Sequence, residues 1–390
     1  MRRTRADRPL PFAPPDIEQA DIDAVADVLA SRWITSGPKV REFEHAIAEA
    51  CGRKHAVAVN SATAALHLAL DAINLAPGDE VIVPTTTFTA TAEVVRYFDA
   101  KPVLVDVTPD ILCLDPGSAN DAISRRTRAI VPVHFGGHAA NMDAIQTLAK
   151  DNGLTVVDDA AHGFSGSYKG RPIGSLGDIS ALSFYATKTI TTGEGGMLLT
   201  DDDAVENRAR IMSLHGMSRD SWNRYSGTGD WRYDVIAPGF KYNLTDMAAA
   251  LGLSQLNRAA QMLERRRQIA ARYTAAFSSL EMFQPPVVLL GVEHSWHLYV
   301  LRLHLDQLRI HRDEFIDRLK ARGISASVHF IPLHMFTYYR NMYRFDDSDF
   351  PVATREFTRC MSLPIFSSMA DADVSDVIDI VSDIATRNRR

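Results

Sequence analysis

Three segments carry residue types able to do chemistry together. Lys188 lies in ISALSFYATKTITTGEGGMLLT, between two apolar runs. A lysine withdrawn from water loses basicity, and its neutral amine becomes a nucleophile. A buried structural lysine or a surface lysine would fit this segment too. Asp158-Asp159-Ala160-Ala161-His162 closes the apolar run LTVVD. Acids at the carboxyl end of a strand suit a ligand; they suit equally a helix N-cap with the second Asp against the dipole. Asn60-Ser61-Ala62-Thr63 follows HAVAV and precedes good helix formers. Such a turn can hold an anion on backbone N–H groups, or serve only as a Ser cap.

The elements that must position these residues follow from periodicity. Apolar positions in 16–32 and 38–50 recur at helical spacing, with Pro38 suited to a first helical turn. Beyond them the chain alternates. Strands are expected at 55–60, 80–84, 102–106, 129–133, 154–158 and 179–184. Helices are expected at 62–72, 90–98, 115–124 and 142–151. This pattern predicts an α/β fold with a mostly parallel central sheet flanked by helices. Its ligands would sit at the carboxyl ends of strands. Helices are expected at 204–214 and 245–256, with a long amphipathic helix from 257 to about 280. The division expected is a large domain over 1–265, including the N-terminal segment, and a smaller α+β domain over 266–390.

The chain has 390 residues, 46% hydrophobic and 23% charged, as in globular enzymes. Its net charge of −6 offers no footprint for nucleic acid. No apolar run is long enough to span a membrane, and the basic start has no apolar stretch behind it, so a cytoplasmic location is expected. The three cysteines, Cys51, Cys113 and Cys360, are far apart, which fits free thiols rather than a disulfide framework.

Lys188, Asp159 and the Ser61–Thr63 turn each follow a different strand of one sheet. A lysine for an aldehyde, a carboxylate for a pyridine nitrogen and a helix N-terminus for a phosphate are what pyridoxal 5'-phosphate requires.

The chain resembles the DegT-type nucleotide-sugar aminotransferases, fold-type I pyridoxal phosphate enzymes. The resemblance runs from WITSGP (33–38) and EFE (42–44) to SLP (362–364). Between lie NSATAALHLAL, PGDEVIVPTTTFTATA, VDDAAHGFSGSYKG, SFYATKTITTGEGG, GFKYNLTDMAAALGLSQL and SVHFIPLH. It implies that Lys188 carries the cofactor and moves protons, and that Asp159 holds the pyridine nitrogen protonated. It places His162 at the ring hydroxyl, where many relatives have Gln, and Phe88 on the ring face. Ala62, Thr63 and Ser183 fall at the phosphate, and Asn243 at the phosphate of the neighbouring subunit of a homodimer. Thr35, Tyr185, Trp231 and His329 fall at the substrate. The family's usual Glu-Asp pair is Asp158-Asp159 here, and some branches read GYNYR where this chain has Lys241 and Asn243.

The reaction so implied moves an amino group from L-glutamate to a nucleotide-linked keto sugar. GFKYNLTD and RYSGTGDWRYDV look closest to the branch acting on UDP-linked 4-keto sugars, such as that making 4-amino-4-deoxy-L-arabinose. A 3-keto sugar is an alternative. A sugar dehydratase of the family would have His in place of Lys188, and a DNA-binding regulator would need a basic surface. Other residues have plainer readings: His134 and His138, four apart across two glycines, are not taken as metal ligands, His334 and alternatively His329 read as core histidines, Tyr233 with Trp231 as a dimer contact, and Arg265–Arg267 as a solvated helix face. No metal site is expected.

Overall fold

The computed structural model describes residue 5 and residues 8–218 and 233–390. Its helices are α1 (Gln19–Ser31), α2 (Pro38–Cys51), α3 (Ala62–Ala72), α4 (Ala90–Arg96), α5 (Pro116–Asp121), α6 (Met142–Asn152), α7 (Asp203–Met212), α8 (Asp246–Asn257), α9 (Ala259–Phe277), α10 (Arg312–Ala321), α11 (Thr337–Tyr343), α12 (Pro351–Arg359) and α13 (Asp371–Arg387). The strands are β1 (His55–Val59), β2 (Glu80–Pro84), β3 (Lys101–Val105), β4 (Thr127–Ile130), β5 (Thr155–Asp159), β6 (Ser167–Tyr168), β7 (Arg171–Pro172), β8 (Ile179–Ser183), β9 (Gly196–Thr200), β10 (Phe283–Gln284), β11 (Val292–Glu293), β12 (Tyr299–Leu303) and β13 (Cys360–Leu363).

Among the described residues, seven strands form the central sheet in the order β1-β9-β8-β5-β4-β2-β3. Strands β8, β5, β4, β2 and β3 pair in parallel. Only β9 is reversed, pairing antiparallel with β8 on one side and β1 on the other. The expected mostly parallel sheet is therefore present. The direction of β9 is the feature that spacing could not supply. The loop from β8 to β9 turns the chain back beside itself, and that loop carries Lys188.

The strands are buried on both faces, which is why they are near-continuous runs of Val, Ile, Leu and Ala rather than alternating ones. Helices α2, α3 and α6 cover them with faces such as Val40–Phe43–Ile47 and Ala65–Leu68–Ala69. The N-terminus of α2 is closed by Asp246, whose carboxylate accepts from Lys39 N at 3.2 Å and Val40 N at 3.0 Å. A second apolar cluster joins α9, β12, β13, α10 and α13 through Tyr273, Phe277, Tyr299, Phe315 and Val381, and takes in Leu10 from the N-terminal segment. The three cysteines are buried free thiols. Among the described residues no helix is long and apolar enough to cross a membrane.

Candidate active site

At the carboxyl ends of β1, β2, β5 and β8 lies a cavity of about 490 Å³, lined by residues from all three segments singled out above. The floor is set by strand alternation. Successive side chains of β5 point to opposite faces, so Asp158 and Asp159 do different things. Asp159 borders the cavity. Its Oδ2 accepts from the Thr91 hydroxyl at 2.7 Å and its Oδ1 from Ala161 N at 3.1 Å. Asp158 lies on the other face, where Oδ2 accepts from Gly177 N at 2.6 Å and Ser180 Oγ at 3.1 Å. One acid of the pair holds the β5–β8 junction; the other is available to a ligand.

The phosphate-sized end is the start of α3. Ser61 caps it, with Oγ accepting from Ala64 N at 3.1 Å. Ala62 and Thr63 border the cavity, and first-turn N–H groups have no carbonyl within their own helix. Ser183, at the end of β8, lines the same wall. Gly196 at the start of β9 runs backbone to backbone against this turn: a Cβ there would collide with the Ser61 carbonyl and lie 2.6 Å from Ala62 N.

Lys188 enters from the β8–β9 loop. Burial lowers its pKa to about 8, against the attraction of Asp159, which raises it. Burial raises the pKa of Asp159 in turn, while Thr91, Ala161 N–H and Lys188 lower it. Nζ lies 3.4 Å from Nε2 of His297. His162 is held far below its usual pKa by burial and by the charge of Lys188. Its Nδ1 accepts from Gly136 N at 3.3 Å, so the neutral ring carries its hydrogen on Nε2.

Phe88, 58% exposed, and Tyr185, 46% exposed, stand at the mouth. Phe330 faces Phe88 with ring centroids 6.0 Å apart and stacks on His162 at 5.7 Å. His329 lines the cavity beside it, with Nδ1 2.9 Å from Ser362 Oγ.

A family model, the DegT/DnrJ/EryC1/StrS aminotransferase family, matches residues 15–382. The chain belongs to the DegT/DnrJ/EryC1/StrS aminotransferase family. Its relatives include spore coat polysaccharide biosynthesis protein SpsC of Bacillus subtilis (strain 168), 48% identical over 96% of this chain and 97% of that protein. A Streptococcus pneumoniae protein assigned as a sugar aminotransferase, in its PMP form, is 34% identical with a TM-score of 0.91, covering 97% of this chain and 98% of that one. The PLP form of the same protein gives 0.90. DesI, solved in the presence of its TDP-sugar product, is 31% identical with a TM-score of 0.88, covering 99% of this chain and 95% of that one.

As a member of the DegT/DnrJ/EryC1/StrS family the protein is a sugar aminotransferase dependent on pyridoxal 5'-phosphate, with the fold of that enzyme type. Its own residues fit the group. A depressed lysine, a buried carboxylate, a neutral histidine donor and an open helix start border one cavity, and Gly196 removes the side chain that would close the phosphate end.

Other expected residues fall elsewhere. Asn243 does not line the cavity. It lines a separate cleft of about 520 Å³ with Trp33, Ser36, Arg41 and Arg210. There Nδ2 donates to Ser36 Oγ at 2.7 Å and Oδ1 accepts from Lys241 at 2.7 Å. Thr35 is exposed at the edge of that region, its carbonyl accepting from Asp246 N at 3.1 Å. Trp231 lies outside the described residues. The Arg265–Arg267 run is not wholly a solvated face: Arg266 is buried, donating to the carbonyls of Trp296 at 3.2 Å and Ile365 at 2.9 Å. His134 and His138 are core histidines, accepting from Ala140 N and Leu289 N. No metal-ligand cluster occurs among the described residues. Thr91, His297 and Phe330 were not singled out from sequence. Five threonines in TTTFTAT were a signal for the first; a lone histidine ahead of an apolar strand was a poor one for the second.

Proposed function

We propose that the protein moves an amino group from L-glutamate to a keto sugar carried on a nucleotide, a UDP-linked 4-keto hexose or pentose fitting best. The observation that carries this is the meeting of Lys188, Asp159 and the α3 N-terminus in one cavity, together with the family. Bound there, pyridoxal 5'-phosphate supplies an aldehyde to hold an amine and a ring that takes up electrons.

The chain's residues then have definite tasks. Lys188 gives its amine to the aldehyde. Once freed, Nζ would be placed to take a proton from the donor's α-carbon and to give one back, as base and then acid. A pKa near 8 suits both roles at neutral pH. Asp159 holds a proton on the ring nitrogen. His162 donates Nε2–H to the ring oxygen. The N–H groups of Ala62 and Thr63, with the Thr63 and Ser183 hydroxyls, bind the phosphate. Phe88 covers the ring, and Tyr185 and His329 meet the sugar at the mouth. Asn243 reaches the phosphate in the site of a second copy in a homodimer, a reading supported by its place outside its own chain's cavity, and Thr35 and Trp231 meet the substrate. The name of SpsC supports a polysaccharide precursor as the product.

The test is the near-ultraviolet and visible spectrum of the purified protein before and after L-glutamate, followed by UDP- and TDP-linked 4-keto and 3-keto sugars. A yellow band that bleaches with glutamate and returns with a UDP-4-keto sugar is the expected result. A band indifferent to glutamate refutes the donor; return with a 3-keto or TDP sugar alone refutes the acceptor.

A further inference from the structure

The amine of Lys188 ends a flexible four-carbon stem, yet it must meet an aldehyde in one orientation. His297 Nε2 lies 3.4 Å from Nζ. The imidazole is buried and its backbone is pinned. Ser295 N donates to the Gly137 carbonyl and Leu298 N to the Gly136 carbonyl, each at 3.0 Å. Ser295 Oγ donates to the His162 carbonyl at 2.7 Å. Arg266 holds the Trp296 carbonyl from behind. The His297 ring packs on His162 with centroids 4.4 Å apart, and its Nδ1 has no hydrogen-bond partner. The pinned ring fixes where Nε2 stands beside the amine; to accept there it carries its hydrogen on Nδ1.

We propose that His297 positions the Lys188 amine: its Nε2 accepts an N–H from Nζ, so that the amine's lone pair is left for the incoming aldehyde. This rests on Lys188 as the cofactor's lysine. The charged and titratable groups facing His297 are Lys188, His162, Arg266 and His329. Burial first, then these neighbours, keep His297 well below its usual pKa. The ring therefore stays a neutral acceptor through the working range and does not store the proton. Both the ammonium and the amine of Lys188 can donate to it, so the contact survives the lysine's titration.

The test uses the full chain stripped of cofactor. Lys188 is labelled with pyridoxal 5'-phosphate, trapped with borohydride and located by peptide mass spectrometry from pH 6 to 10. H297Q keeps an acceptor at similar reach; H297N is polar but too short. Affinity for pyridoxamine 5'-phosphate, which has no aldehyde and needs no lysine amine, reports damage to the pocket itself. The expected result is labelling within about threefold of wild type in H297Q and at least about tenfold slower in H297N, with pyridoxamine phosphate affinity unchanged in both. Wild-type labelling in H297N overturns the proposal, as does a parallel loss of pyridoxamine phosphate affinity. Should H297N fail to fold, H297Q decides alone: a loss beyond tenfold overturns it. Label on a different lysine would instead refute Lys188 as the anchor.

Discussion

The Thr91 hydroxyl donates to Asp159 Oδ2 at 2.7 Å and stands 2.7 Å from the hydroxyl of Thr87, from which it can accept. With Ala161 N–H on Oδ1, this chain fixes the plane of the carboxylate that faces the cofactor ring. T91V deletes one hydrogen bond to a charged group, a change of about 1.5–3 kcal/mol. We expect kcat to fall at least tenfold and the acid limb of its pH profile to move upward, since the lost donor favoured the carboxylate. D159N should cost more, on the order of 10²–10⁴ in kcat. Steady-state kinetics across pH with saturating glutamate checks both.

K188A removes the covalent anchor and the proton carrier together. Transamination should be abolished and the yellow band absent, while circular dichroism and melting stay close to wild type. Turnover at the wild-type rate in K188A would refute the mechanism.

Thr63 is assigned to the phosphate. T63V should weaken pyridoxal 5'-phosphate about 10- to 100-fold, the worth of one hydrogen bond to an anion. Affinity for pyridoxal without phosphate should not change. Equilibrium dialysis of the two ligands against both proteins gives the comparison, and an equal loss for both would place Thr63 elsewhere.

Sharing of sites predicts complementation. K188A and N243A, each poorly active, are mixed under conditions that exchange subunits. If Asn243 serves the partner's site, each hybrid dimer has one complete site, and an equal mixture recovers about a quarter of wild-type activity. No recovery would mean that Asn243 acts within its own chain or not at all.

Acid should unfold the protein early. Burial holds His162, His294 and His297 far below their usual pKa, and lowers His138 as well. Depressed folded-state values mean that the unfolded chain binds more protons once pH drops below about 6.5. Stability is then lost as pH falls, at up to about 1.4 kcal/mol per pH unit for each histidine. Asp159 and Glu44, whose values are raised by burial, act in the opposite sense but start from the carboxylate range. Urea midpoints at pH 7.5 and 5.5 should differ clearly, and less so in H294N. A midpoint flat over that range would contradict the burial of these rings.

Much of this site was legible because its parts follow strands. Asp159 and Ser61 lie where an apolar run meets small polar residues, and Lys188 beyond such a run, positions a parallel sheet gathers at one edge. Spacing did not separate Asp158 from Asp159; only the pleat does, by sending them to opposite faces. Nor did it reach His297, 109 residues from Lys188 and brought beside it by the docking of 295–298 on Gly136 and Gly137. Asn243 was placed by resemblance at the phosphate of a neighbouring subunit, and within its own chain it lines a different cleft. Arg266 was read with its neighbours as part of a solvated face of an amphipathic helix, yet two carbonyls from distant loops receive it.

The cavity draws on Ser61 near one end of the chain and on His329 and Phe330 near the other. During synthesis the helix start and the lysine leave the ribosome well before the residues that complete the wall. At ordinary elongation rates the interval from Ser61 to His329 is roughly 15–50 s. For that time the nascent chain has a phosphate cradle and then a lysine, but no finished pocket around them. Closure of the pocket is thus tied to the late part of translation, and a chain stalled short of residue 330 would carry the residues assigned to the coenzyme but lack the wall that His329 and Phe330 supply.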